Sequence, residues 1–162
     1  MMLRLRSYKM QQTELYFLRS SEAKIVKDML PFAHDAKEQN IKLYTEFYGL
    51  KPTDLGLYAL HLGEIAGAIW SREIEGKATL SVAVVKKFRN KSIGSQMMTQ
   101  FLVEAGAVYE EIEVYVYNDD AKKFYAKFDF VYDDAKGMML RKLEKKEIVR
   151  PTDGYDASHW MD

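Results

Sequence analysis

Residues 80–108, LSVAVVKKFRNKSIGSQMMTQFLVEAGAV, constrain this chain more than any other stretch. The β-branched apolar run at 80–85 reads as a strand. It leads into Lys86-Lys87-Phe88-Arg89-Asn90-Lys91, which carries four cations and no acid. Ser92-Ile93-Gly94-Ser95 then opens a helix. Its apolar residues Ile93, Met97, Phe101, Ala105 and Val108 recur at three and four positions, on one face. The first amides of a helix lack internal partners and sit at the positive end of its dipole. A strand that runs through a basic turn into such an end is a ready anion site. Gly94 and Ser95 keep the backbone approachable there. The pattern predicts a phosphate-bearing ligand; the plainer alternative is a solvated basic turn before an ordinary helix.

The chain has no Gly-x-x-x-x-Gly-Lys-Ser/Thr and no Gly-x-Gly-x-x-Gly, so neither nucleotide fingerprint applies. Lys and Arg number 24 and Asp and Glu number 24, so the net charge is zero. Basicity confined to one loop suits a small anion and argues against a nucleic-acid partner. The absence of cysteine excludes a thiolate metal site and a cysteine nucleophile. His34, His61 and His159 lack ligand spacing, so no metal is expected. No apolar run approaches the ~20 residues of a membrane span, and residues 1–10 lack an apolar signal core. A cytoplasmic protein with no membrane partner is the expectation.

With 162 residues the chain suits one domain with a sizeable core, expected over residues 1–145 and followed by a tail at 146–162. Pro151 and Gly154 mark that tail as extended. Its Tyr155 and Trp160 could anchor it to this chain or to a second copy, which leaves a homodimer open. The expected strands cover residues 14–19, 56–62, 65–71, 79–85, 111–117, 130–133 and 138–143. Expected helices begin at Ser20-Ser21-Glu22, ending or kinking at Pro31, and cover residues 40–48, the stretch after Ser92, and residues 121–127. Gly63-Glu64 reads as a hairpin turn. Residues 111–117 alternate, with Ile112, Val114 and Val116 on one face and Glu113, Tyr115 and Tyr117 on the other. That predicts a half-buried strand.

Two motifs in this frame resemble those of the GNAT acetyltransferases. The family's pyrophosphate loop reads Arg/Gln-x-x-Gly-x-Gly/Ala after a strand ending in valine. Here Arg89, Asn90, Lys91, Ser92, Ile93, Gly94 and Ser95 follow Val82-Ala83-Val84. Ser92 replaces the first glycine; its hydroxyl offers a helix cap or a phosphate contact, and its bulk narrows the loop. The second motif is Asn-x-x-Ala-x-x-x-Tyr-x-x-x-Gly-Phe. Asn118, Ala121, Tyr125 and Phe130 match it in register, while Asp129 replaces the glycine. Asp tolerates a left-handed backbone better than most residues.

The resemblance spans about residues 14–143 and implies an α/β (α+β) GNAT fold. In it a central, mixed, mostly antiparallel twisted sheet has splayed parallel strands 4 and 5 and is flanked by helices. It also implies an acetyl-CoA-dependent N-acetyltransferase, an acyltransferase acting on a primary amine by direct attack in a ternary complex. Val82 and Val84 would pair with the pantetheine amides, with the Val84 amide as oxyanion donor. Residues 89–95 would hold the pyrophosphate, and Asn118 would reach the pantetheine arm. Tyr125 stands where the family places its general acid, and a phenol of pKa about 10 is protonated and able to donate at pH 7. The plainer alternative for Tyr125 is core packing or a surface ring. Glu113 stands where bacterial ribosomal-protein N-terminal acetyltransferases carry a catalytic glutamate, in the run Glu113-Val114-x-x-x-Asn118. It is either the base or a solvated or lysine-paired acid. Ala78 and Thr79, at the family's other base position, cannot serve. Tyr44, Glu46, Tyr48, Glu73, Glu75, Tyr115 and Tyr117 suggest an aromatic, acidic mouth for a cationic amine. The glycine replacements motivate an alternative, an acyl-CoA-binding regulatory module with little turnover. A third reading is a partner-binding protein that uses its tail.

Overall fold

The computed structural model describes residues 12–33, 48–74 and 77–145. Apart from Tyr48, the helix expected at 40–48 lies outside them, as do Glu75 and the tail at 146–162.

The seven strands are β1 (Thr13–Phe17), β2 (Leu55–His61), β3 (Glu64–Ile74), β4 (Lys77–Val84), β5 (Glu111–Tyr115), β6 (Val131–Asp133) and β7 (Met138–Lys142). They form one sheet in the order β1-β2-β3-β4-β5-β7-β6. Every pairing is antiparallel except β4 with β5. The helices are α1 (Ala23–Met29), α2 (Ile93–Ala105) and α3 (Asp119–Ala126). Pro31 acts as expected: α1 stops at Met29, and a 3₁₀ turn, Leu30–Phe32, carries the proline.

Side chains alternate along each strand, so the sheet has two faces to cover. Leu57, Ile69, Leu80, Ile112 and Val114 meet Ile93, Met97 and Phe101 of α2 and Tyr125 of α3. Met97 and Phe101 have no solvent exposure, and such burial contributes about 1.5–3 kcal/mol per side chain. Val108 falls beyond the end of α2 and is exposed, so it does not extend the apolar face. On the other face Ala68, Trp70 and Ala83 pack against Val26 and Met29 of α1, Ala33 and Tyr48.

β5 departs from the expected half-buried strand. Ile112, Glu113 and Val114 are all buried, Glu113 at 5% exposure. The strand lies between β4 and β7, and both of its faces are covered there. The β2–β3 hairpin turns on Leu62 and Gly63, both left-handed at φ 52° and 82°. That is the mirror-image turn hairpins favour, one residue earlier than expected. Gly67 permits the close approach of β3 to β4, since a Cβ there would lie 2.5 Å from the Ala83 carbonyl oxygen.

Candidate active site

β4 and β5 pair only at Ala78–Ile112 and Thr79–Glu113. Beyond that, β4 follows β3 as far as Val84, while β5 follows β7 to Tyr115. The two parallel strands therefore splay. Backbone direction decides which groups face the gap. The Val85 amide donates to Ala66 of β3 at 2.7 Å. Its neighbour Val84 points the other way, and its carbonyl accepts from Arg89 Nε at 3.2 Å. Val82 shares that direction by alternation. Val82 and Val84 thus present their backbone to the gap, as expected. The edge is not bare, however. Ala33 forms an isolated antiparallel bridge with Ala83, and Arg89 Nη2 donates to the Phe32 carbonyl at 3.2 Å.

The loop after β4 is built on two left-handed residues, Asn90 at φ 64° and Ser92 at φ 61°. The residue replacing the family's glycine adopts the conformation glycine would take most cheaply. Its hydroxyl makes no cap hydrogen bond, contrary to one expectation. The first bond of α2 runs from the Gln96 amide to the Ser92 carbonyl at 3.0 Å. The amides of Ile93, Gly94 and Ser95 precede it and have no intrahelical acceptor. The loop's charge is partly committed: Lys87 pairs with Glu64 at 2.7 Å, and Arg89 serves two carbonyls. Lys86 and Lys91 are exposed.

The splay and this loop open into a cleft of about 800 Å³. Val82, Val84, Arg89, Asn90, Ser92, Ile93, Gly94, Ser95, Asn118 and Tyr125 all line it; Lys91 and Glu113 do not. A Cβ on Gly94 would sit 3.5 Å from the Phe124 ring and 3.7 Å from Val84 Cγ2, so glycine keeps the passage between those walls clear. Asn118 caps α3, its side chain accepting from the Ala121 amide at 2.7 Å. That cap fixes the register that carries Tyr125 to the cleft. Tyr125 is 1% exposed, with its ring against Phe124 and Phe130. Asp129, the second glycine replacement, is left-handed at φ 66°, so the turn into β6 survives. Sequence reasoning missed Phe32, Ala33, Phe124 and Lys127 as cleft-lining residues. For Phe124 and Lys127 the signal was their place inside the second motif. For Phe32 and Ala33 there was none.

Glu113 lies at the closed end of the splay. It is buried and pairs with no lysine among the described residues, and it accepts from Thr79 Oγ1 at 3.3 Å. It lines a separate cavity of about 320 Å³ with Glu73, Lys77 and Tyr109. Beside that cavity Arg72 Nε meets Asp54 at 2.9 Å, with both side chains at most 5% exposed. The Asp54 carboxylate also accepts from the Gly49 and Lys51 amides at 2.7 and 3.1 Å. Tyr109 bonds Ser71 at 2.9 Å and donates to the Thr53 carbonyl. Burial pushes the Tyr109 phenol up to about 12 and raises that of Tyr48 as well. Tyr48 donates to the Leu18 carbonyl at 3.0 Å and is buried, so it forms core and not the expected mouth. Tyr117 is exposed, while Tyr44, Glu46 and Glu75 lie outside the described residues. No described helix is long and apolar enough to cross a membrane.

Comparison with known proteins agrees with this arrangement. Residues 53–132 match the family model of the acetyltransferase (GNAT) domain. No curated protein matches the sequence significantly. Among solved structures, the ribosomal-protein-S18-alanine N-acetyltransferase of Escherichia coli superposes with a TM-score of 0.62 at 15% identity, covering 83% of this chain and 96% of its own. A GNAT acetyltransferase from Staphylococcus aureus Mu50 gives 0.63 at 14% identity, over 82% and 99% of the two chains. A PaiA N-acetyltransferase from Thermoplasma acidophilum, solved with coenzyme A, gives 0.57 at 18% identity, over 80% and 98%. At these identities the likeness establishes the fold. Residues 53–132, which hold the splayed parallel pair and the loop into α2, are thereby identified as a GNAT acetyltransferase domain.

Proposed function

We propose that the protein transfers an acetyl group from acetyl-CoA to a primary amine, with both substrates bound at once. The reading is carried by one juxtaposition. Unpaired first-turn amides, a strand edge with outward-facing backbone, and a buried phenol all line the same cleft.

The cleft suits the cofactor. The amides of Ile93, Gly94 and Ser95 supply donors for a pyrophosphate at the positive end of α2. The backbone of residues 89–95, with Lys91 nearby, completes that loop. The backbone of Val82 and Val84 offers strand-like pairing to the two amides of a pantetheine arm. Asn118 keeps its amide nitrogen for the same arm, because only its oxygen serves the cap. The Val84 amide would donate to the thioester oxygen as charge develops on it. Attack of a neutral amine forms the C–N bond and breaks the C–S bond. Tyr125 would then protonate the departing thiolate. Glu113 lines a separate cavity at the closed end, so the base role that the family resemblance gives it requires water to relay the proton from the cleft. The acids Glu73 and Glu113 of that cavity favour a cationic acceptor.

The experiment is thiol release from acetyl-CoA across a panel of small amines and N-terminal peptides. Turnover with at least one amine is expected. CoA binding without turnover on any of them would leave a CoA-binding module. Glu113→Gln should lower turnover most at low pH, where the amine is largely protonated, and least at high pH. A loss uniform across pH would remove Glu113 as the base.

A further inference from the structure

We infer that residues 31–33 form a strap that occupies, in the free protein, the place of the cofactor's amide arm on β4, with Arg89 as its latch. The inference rests on the acetyl-CoA reading and adds to it a competition within the chain. A strand edge accepts one partner at a time. Val82 and Val84 face the gap, and Ala33 bridges Ala83, the residue between them. An arm pairing with Val82 and Val84 therefore needs the ground on which Ala33 sits.

The strap is compact, held by one small buried side chain and a few polar bonds. The Ala33 amide donates to the Leu30 carbonyl at 3.0 Å, so the segment stays a closed turn. Its methyl is seated with Ala68, Trp70 and Ala83. Beyond the bridge, two exposed bonds from one guanidinium fasten it, to Val84 and to Phe32, both at 3.2 Å. Arg89 belongs to the loop that opens α2. A phosphate at the amides of residues 93–95 competes for that guanidinium, and a charge-assisted bond to phosphate is stronger than one to a neutral carbonyl. The nucleotide end of the cofactor thus releases the latch, and the amide arm then displaces Ala33 from β4.

The chain has no cysteine, so the double variant Ala33→Cys/Ala83→Cys allows the strap to be locked. Opposed residues of an antiparallel pair have Cβ atoms about 4.5–5.5 Å apart, close to disulfide reach. Calorimetry would compare CoA with adenosine 3′,5′-bisphosphate, which lacks the arm. Oxidation should lower CoA affinity by at least about tenfold, since the competent state is removed. Reduction should restore it, and the bisphosphate should bind alike in both forms. Equal CoA affinity in the oxidised and reduced forms would overturn the strap. Absence of CoA binding to the wild-type chain would instead defeat the acetyl-CoA reading. Should the double variant misfold, the Ala33 methyl resonance of the wild-type chain decides: CoA should shift it as the methyl leaves its seat with Trp70, and an unchanged resonance would contradict the strap. Arg89→Lys keeps the charge but cannot span two carbonyls. It should move the Ala33 methyl resonance of the free protein toward its CoA-bound position, and an unchanged resonance would remove Arg89 as the latch.

Discussion

The two ends of the β4–β5 pair are built on opposite principles. At the closed end the strands are hydrogen-bonded at Ala78–Ile112 and Thr79–Glu113. Nearby stand a buried ion pair, Asp54–Arg72, and the Tyr109–Ser71 bond. At the open end the strands part, the first amides of α2 are unpaired within the helix, and the strap is fastened by exposed bonds. Asp54, Arg72, Ser71 and Tyr109 all have partners at the closed end, whereas the first amides of α2 are left available where a ligand must enter. The closed end acts as a clamp that lets the open end splay without unravelling the sheet.

Removing a single oxygen at the open end should have the largest effect. Tyr125→Phe keeps the ring packed against Phe124 and Phe130. It should leave CoA affinity unchanged and cut kcat by about 100- to 10,000-fold, the usual contribution of general acid catalysis. Full turnover, with the chemical step shown to be rate-limiting, would make the register match at Tyr125 purely structural.

Breaking the clamp should act on stability instead. Asp54→Ala strands Arg72 in a buried site, which costs about 3–5 kcal/mol. Urea unfolding should show that loss, and the folded fraction should still bind CoA. A loss below about 1 kcal/mol, the range of exposed pairs, would mean that the pair is solvated.

A smaller effect separates the ends by pH. An ordinary phenol titrates near ~10, whereas burial holds Tyr109 protonated up to about 12. Above pH ~10 the unfolded chain releases this proton and the native chain keeps it. The resulting stability is complete below that pH and is lost as pH rises toward about 12. Tyr109→Phe should flatten the alkaline fall in urea stability, leaving the share due to Tyr48. An unchanged slope would place the phenol in water.

The smallest effect belongs to the loop. Ser92→Gly relieves a left-handed serine at φ 61°, offset by the entropy glycine adds to the unfolded chain. The melting temperature should rise by the equivalent of about 1 kcal/mol or less. A fall would show that the hydroxyl makes a contact worth more than the strain.

The same contrast explains what could be read from residues alone. The open end was largely legible because its parts are local. A strand, a turn and a helix start lie within residues 80–95, and Asn118 fixes Tyr125 seven positions on. Ser92 and Asp129 stood out as glycine replacements, and both are left-handed. The closed end was not legible. Asp54 and Arg72 look like an ordinary loop acid and strand cation until the β2–β3 hairpin brings them together. Alternation puts Glu113 on the open face of a half-buried strand, and only the family resemblance offers it chemistry, because no local pattern records that both faces of β5 are covered. The strap was invisible for the same reason: Ala33 meets Ala83 only once α1 has docked on the sheet.

A titration of the isotope-labelled chain with CoA, followed by amide chemical shifts, tests the account most directly. The largest shifts should fall on Val82, Val84 and residues 93–95, with Ala33 moving in step. Ala78, Thr79, Ile112 and Glu113 should stay nearly still. Absence of shifts at millimolar CoA, or shifts centred on the closed end, would contradict the assignment of the open end as the acyl-CoA site.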